Sequence, residues 1–341
     1  MVRRVSLAAL WAICCMAGAA PALAEVVQVA HLTAPQLGAL NRSTTVVVLT
    51  GGMLEEHGPY LPASTDAILS ERLANDVARA VVAKKPGWTV LLFPQIPFGA
   101  SGSNEIGGHF TFPGTYAVRP STLRSVFMDL AAELGEQGFR WIMVVHVHGS
   151  PLHLRALDDA GDFFHESYGG WMVNLWDLVP VISGWGSAMA AGMTDAEKKE
   201  DGASLHGGAD EHSLMLYLKP ELVASGFKRA KAVTGATPEA SFEVAHQSDW
   251  PGYLGSPRLA TAALGAKIWA AFSAAAGGQM LSVLDGADPS KITRYVDILE
   301  RSPLYQRDWI TPSTVHDDAL GAKQRDSCLV AHVTTKLLSA S

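Results

Sequence analysis

Cysteine is scarce in this chain. There are three in 341 residues, and two of them, Cys14 and Cys15, fall within the first 24. With those set aside only Cys328 remains, so the fold cannot rest on an intramolecular disulfide. Basic residues are outnumbered, 26 Lys and Arg against 33 Asp and Glu, and no Lys/Arg-rich run occurs. That argues against nucleic acid and an anionic membrane surface as partners. The apolar run from Leu7 to Ala17 is too short to span a bilayer. There is no internal repeat and no linker-like composition.

What is present begins with a segment that reads as an export signal. Arg3 and Arg4 make a basic start, an apolar run follows, and Ala22-Leu23-Ala24 fits a small-x-small cleavage site. The expected mature chain is one domain from 25 to 341. Loss of Arg3 and Arg4 takes its net charge from −7 to −9. Export without disulfides is compatible with a bacterial periplasm, and no stable membrane insertion is expected after cleavage.

Strand and helix patterns alternate through the first half. Thr44–Leu49, Thr89–Phe93, Trp141–Val145 and a stretch from Trp171 to Trp176 read as strands. Leu69, Leu73, Val77 and Val81 recur at helical spacing, with Ser64 or Thr65 available as a cap. Further helices are expected over 123–134, 154–164, 210–218, 259–272 and within 318–338. Residues 94–120 form a long Gly/Pro-rich loop, and residues 181–203 hold no clear strand and are expected to fold over the site or pack on a neighbour. The alternation implies an α/β fold, a three-layer αβα arrangement with a mainly parallel central sheet.

The residues that carry chemistry cluster at predicted strand ends, where ligand sites of α/β folds gather. Glu55, His57 and Asp66 lie within sixteen residues, and His148 follows the third strand. Read alone, the first three suit a polar loop with a helix-capping Asp. Read with His148, two nitrogens and two carboxylates suit zinc or manganese better than magnesium or calcium, and carboxylates can bridge two ions. A second polar stretch, 205–216, carries His206 and Glu211. His146 and His212 stay open. His153, His165, His246, His316 and His332 are assigned capping or surface roles. No Gly-x-Ser-x-Gly elbow supports a serine nucleophile.

Glu55-Glu56-His57-Gly58-Pro59-Tyr60-Leu61-Pro62 with Thr65-Asp66 resembles the Glu-Gln-His-Gly-x-His-Leu-Pro-x-x-Thr-Asp signature of the creatininase (creatinine amidohydrolase) family. Further matches follow in the family's order. They are His109-x-x-Phe112-Pro113-Gly114-Thr115, His206-Gly-Gly with Glu211-x-Ser213-Leu214-Met215-Leu216, and Gly255-x-Pro257-Arg258-x-Ala260-Thr261 with Gly265. The resemblance covers roughly residues 45–270.

It implies a metal-dependent amidohydrolase of αβα fold, assembled as a homo-oligomer, often a hexamer. Glu55, His57, Asp66 and His148 would be metal ligands, with Asp66 bridging two ions and Glu211 or His146 completing the second. His206 would stand beside the substrate. Zinc or manganese is expected, one or two ions, with iron admissible. Three departures stand out. Ser150 replaces a metal-binding Glu, Gly202 replaces a Trp, and Glu56 replaces the usual Gln. Together they argue against creatinine as substrate.

The expected function is cleavage of a C–N bond in a small amide, cyclic amide or short peptide. His206 would move the proton, with Glu56 and Glu211 as the other acid/base groups. The alternative is an exported metal- or ligand-binding protein of the same fold that has lost hydrolysis.

Overall fold

The computed structural model describes residues 25–325. The expected signal segment and the last part of the expected 318–338 helix lie outside them.

Five short strands form the centre: β1 (Glu25–Gln28), β2 (Thr45–Thr50), β3 (Thr89–Leu92), β4 (Trp141–Val145) and β5 (Trp171–Asn174). Their order across the sheet is β1-β3-β2-β4-β5, and every pairing is parallel. The β-branched, uncharged run of β2 is buried along its whole length, as a strand covered on both faces must be.

Alternate residues feed two cores. Val46, Val48, Met143 and Val145 point to one, with Leu69, Leu73, Val77 and Val81 of helix Thr65–Lys84 and Ile268, Phe272 and Met280 of helix Ala262–Leu284. Val47, Leu49, Ile142 and Val144 point to the other, with Phe127 of helix Pro120–Glu136 and Leu157 and Phe164 of helix Pro151–Tyr168. The three-layer αβα reading holds. β1 is the addition: four residues at the sheet edge, too short and too polar to stand out.

Two expectations are corrected. Ser64 is the N-cap of helix Thr65–Lys84 but accepts no side-chain capping bond, and the Thr65 hydroxyl donates backwards to the Pro62 carbonyl instead (2.7 Å). His153 is not a surface residue. It is fully buried, because helix Pro151–Tyr168 turns His153, Leu157, Ala160 and Phe164 to its inner face. The stretch without a strand becomes two helices, Val179–Gly192 and Asp195–Asp201. No described helix is long and apolar enough to cross a membrane.

Candidate metal centre

The carboxyl edge of the sheet brings the expected residues together. After β2 the chain passes Gly51 and carries Glu55 and His57 across that edge. A Cβ at Gly51 would lie 1.9 Å from His146 Nε2 and 2.5 Å from the Ile96 carbonyl, so only glycine fits. Asp66 sits in the first turn of helix Thr65–Lys84, where the helix dipole favours a carboxylate. His148 follows β4. Glu55, His57, Asp66 and His148 are all buried.

Asp66 joins two groups of donors. Its Oδ1 is 3.2 Å from His57 Nε2, and its Oδ2 is 3.1 Å from His148 Nδ1. Glu55 Oε2 is 3.0 Å from the same His148 nitrogen, and Glu211 Oε1 is 3.8 Å from His57 Nε2. Glu55, Asp66 and His148 therefore offer one set of ligand atoms within 4.8 Å of one another, and His57, Asp66 and Glu211 offer a second. Glu55, His57 and His206 form a third. Ser150 is in none of them. It caps helix Pro151–Tyr168 with its hydroxyl buried and unpartnered.

Four of the donors, His57, His148, Glu55 and Glu211, are each held by one atom and aimed with the other. His57 Nδ1–H donates to the Glu55 carbonyl (3.0 Å) and His148 Nε2–H to the Ser101 carbonyl (3.1 Å). That leaves His57 Nε2 and His148 Nδ1 for the centre, the way metal-ligating imidazoles are oriented. Glu55 Oε1 accepts the Ser103 N–H (2.5 Å), and Glu211 Oε2 accepts the Gly207 N–H (2.5 Å).

Ser101 is the sole non-glycine described residue at positive φ, +58°. Its hydroxyl donates to Glu105 Oε2 (2.8 Å) and accepts the indole N–H of Trp309 (3.0 Å).

Burial raises the Glu55 carboxyl, but His148 and His206 outweigh it and hold it down at about 2. Asp66, buried between His57 and His148, is likewise held below the usual carboxylate range. Burial opposes charge on His57 and His148. The carboxylates of Glu211 and Asp66 at the first, and of Glu55 and Asp66 at the second, still raise both well above the usual range. The same carboxylates suit a divalent cation. His57 Nε2 and Asp66 Oδ2 make no well-aligned hydrogen bond, although each lies within 3.2 Å of an oppositely charged group. Unsatisfied atoms aimed at one point, in a set of imidazoles and carboxylates, fit a zinc or manganese ion.

His206 is positioned by an antiparallel bridge to Leu254, whose N–H meets the His206 carbonyl at 2.7 Å. Its Nε2–H donates to the Glu56 carbonyl (2.6 Å), and the same nitrogen lies 3.6 Å from Glu56 Oε1 and 4.0 Å from Glu55 Oε1. Burial lowers its pKa to about 4, so the ring is neutral at pH 7. Glu56 is pushed up to about 8 by burial, although Gly58 N–H bonds its carboxylate (2.9 Å). Burial also lifts Glu211 to about 8. The motif around His109 packs beside Glu56. Thr115 Oγ1 accepts the Glu56 N–H (3.2 Å), and His109 bonds the Ala245 carbonyl and stacks on Trp250. His146, fully buried with both ring nitrogens unpartnered, lies behind the centre against His153 and outside the donor sets.

The centre opens on a cavity of about 260 Å³ lined by Glu55, Asp66, His148, His206 and Glu211. The lining also includes Trp176, Trp185, Tyr295, Tyr305 and Trp309, none of which the sequence marked as site residues.

The family model described as "Creatininase: Creatinine amidohydrolase" matches residues 30–277. The chain belongs to the creatininase family. Relatives of this creatininase-family chain include the mycofactocin precursor peptide peptidase of Mycobacterium ulcerans, 28% identical over 260 residues, covering 70% of this chain and 89% of the relative. The creatinine amidohydrolase of Pseudomonas putida is 28% identical over 187 residues, 52% of this chain and 66% of its own. A solved manganese creatininase superposes with a TM-score of 0.55 at 23% identity, over 76% of this chain and 99% of that one. At that identity it shows the fold, and a related structure is of the Zn–Zn type. The family is one of metal-dependent hydrolases of amide- and peptide-like bonds.

Proposed function

We propose that this chain is a metal-dependent amidohydrolase that cleaves the C–N bond of a small amide, cyclic amide or short peptide. One observation carries the reading: the two oxygens of Asp66 face two separate His/carboxylate groups, at 3.2 and 3.1 Å. Glu55, Asp66 and His148 would hold one ion, and His57, Asp66 and Glu211 a second. Zinc or manganese in those positions supplies Lewis acidity and a nucleophile available at neutral pH.

The chain's own residues do the rest. The buried wall excludes bulk water, which strengthens every charge interaction at the centre. His206, held against the Glu56 carbonyl beside Glu55, takes a proton from the attacking water and returns it to the leaving nitrogen. Glu56, which burial keeps protonated near neutral pH, is the other group able to exchange a proton; Glu211 is available for that role only when it does not hold the second ion. Export to a periplasm and assembly as a homo-oligomer, a hexamer by the family resemblance, belong to the same reading. The first rests on Ala22-Leu23-Ala24 and is tested by N-terminal sequencing from the native host; recovery of Met1 would overturn it.

The experiment is metal content and hydrolysis rate for two variants, with any amide the unmodified protein cleaves. His206→Ala should keep its metal and lose about 100- to 10,000-fold in rate. His148→Ala should lose metal and activity together. A His206→Ala protein that loses metal as fully would make His206 a ligand. One that keeps near-full rate would move the proton transfer to Glu56 or Glu211.

A further inference from the structure

The far wall of the cavity is built from chain that the family match does not reach. The match ends at residue 277, yet Tyr295, Tyr305 and Trp309 line the cavity. They are held firmly. Asp177 accepts the Val296 N–H (2.9 Å) and its carbonyl accepts the Tyr295 N–H (2.7 Å). Arg155 ties Asp297 and Glu300 (2.7 and 2.6 Å), and Trp309 is bonded to Ser101.

Trp176 and Trp185 line the same cavity, and their rings pack on each other and on Phe272 at 5.3–5.4 Å. Tyr305 and Trp309 lie near-parallel, centroids 6.1 Å apart. No Lys or Arg among the described residues lines the cavity, and Asp210 adds a further acidic group, so a carboxylate there meets no cationic side chain away from the metal centre. Its volume is about 260 Å³, just below the ordinary range of ligand pockets, about 300–1,000 Å³. That admits one residue-sized group.

We propose that residues 295–309 make this cavity a slot for the aromatic side group of an uncharged amide, and that substrates with a second, free carboxylate are rejected. This rests on the amidohydrolase reading for the position of the scissile bond; the slot itself rests on the aromatic walls alone. Stacking between flat rings favours an aromatic ligand over an aliphatic one by about tenfold.

The test is equilibrium binding to the full-length protein, as purified and after chelation, followed by tryptophan fluorescence. The probes are phenylacetamide, acetamide and succinamic acid. Phenylacetamide should bind about tenfold tighter than acetamide in both forms, and after chelation succinamic acid should bind no tighter than acetamide. Tyr305→Leu should lose most of the aromatic preference. Equal binding of phenylacetamide and acetamide, or succinamic acid matching phenylacetamide after chelation, overturns the proposal; neither comparison needs the variant to fold. Turnover separates the two claims. Phenylacetamide bound with the expected preference but never hydrolysed keeps the slot and removes the hydrolase reading. Hydrolysis of amides with no aromatic preference in binding does the reverse.

Discussion

Trp309→Phe removes the indole N–H, together with part of the ring, from the wall and should be felt at the metal centre. Ser101 is held at φ +58°, a conformation that costs a side-chain-bearing residue about 1–2 kcal/mol. The bonds that resist relaxation are those from Trp309 Nε1–H (3.0 Å), to Glu105 (2.8 Å) and from His148 Nε2–H (3.1 Å). Removing the first costs about 0.5–1.5 kcal/mol net, the same size as the strain it opposes. Ser101 should then spend time relaxed, and its carbonyl should no longer fix the His148 ring. Loss of a group that orients a ligand typically lowers metal affinity about 10- to 100-fold. Acting one residue further out, Trp309→Phe should give about tenfold, or about 1.4 kcal/mol. The assay is zinc affinity by chelator competition, with thermal melts alongside. Ser101→Gly should also weaken zinc binding, and adding Trp309→Phe to it should change little more, because the indole then has no hydroxyl to hold. A Trp309→Phe protein that melts earlier but binds zinc as before, or a pair of changes that simply add, would refute the reasoning.

Other outcomes follow from the same geometry. Gly51→Ala drives a methyl into His146 and the Ile96 carbonyl; overpacking of this kind costs about 1–3 kcal/mol or more, which calorimetry reads as a lowered Tm, and an unchanged Tm would contradict the packing. The buried pair Asp158 and Asp177 is pushed up mainly by burial, to about 6 and about 10, against the pull of Arg294. Carboxyls with raised folded pKa values stabilise fully below the usual 3.8 and lose that contribution as pH rises through the folded values. Asp177→Asn, which stays neutral, should therefore gain on the unmodified protein in melts run from pH 5 to pH 9; parallel curves would count against the raised Asp177 carboxyl.

Much of this molecule was legible in its sequence because burial on both faces writes strands as uncharged β-branched runs. β2 and β4 stand out for that reason, and the residues after them, Glu55, His57 and His148, inherit a place at the sheet edge. β1 was not legible, since an edge strand of four residues, mostly exposed, carries no such run. His153 was misread although the pattern was present: it lies four before Leu157 and seven before Ala160 on one helical face. The aromatic wall had no local pattern at all. Trp309 meets Ser101 across 208 residues, and neither polarity nor spacing along the chain points from one to the other.

The most direct test of the shared-carboxylate centre is metal stoichiometry beside turnover, measured on protein purified without chelator. The account predicts two zinc or manganese ions per chain, one after Glu211→Ala and none after Asp66→Ala, with amide hydrolysis lost on chelation and restored by metal. A chain that binds both ions without Asp66, or that hydrolyses amides with no metal bound, would contradict it.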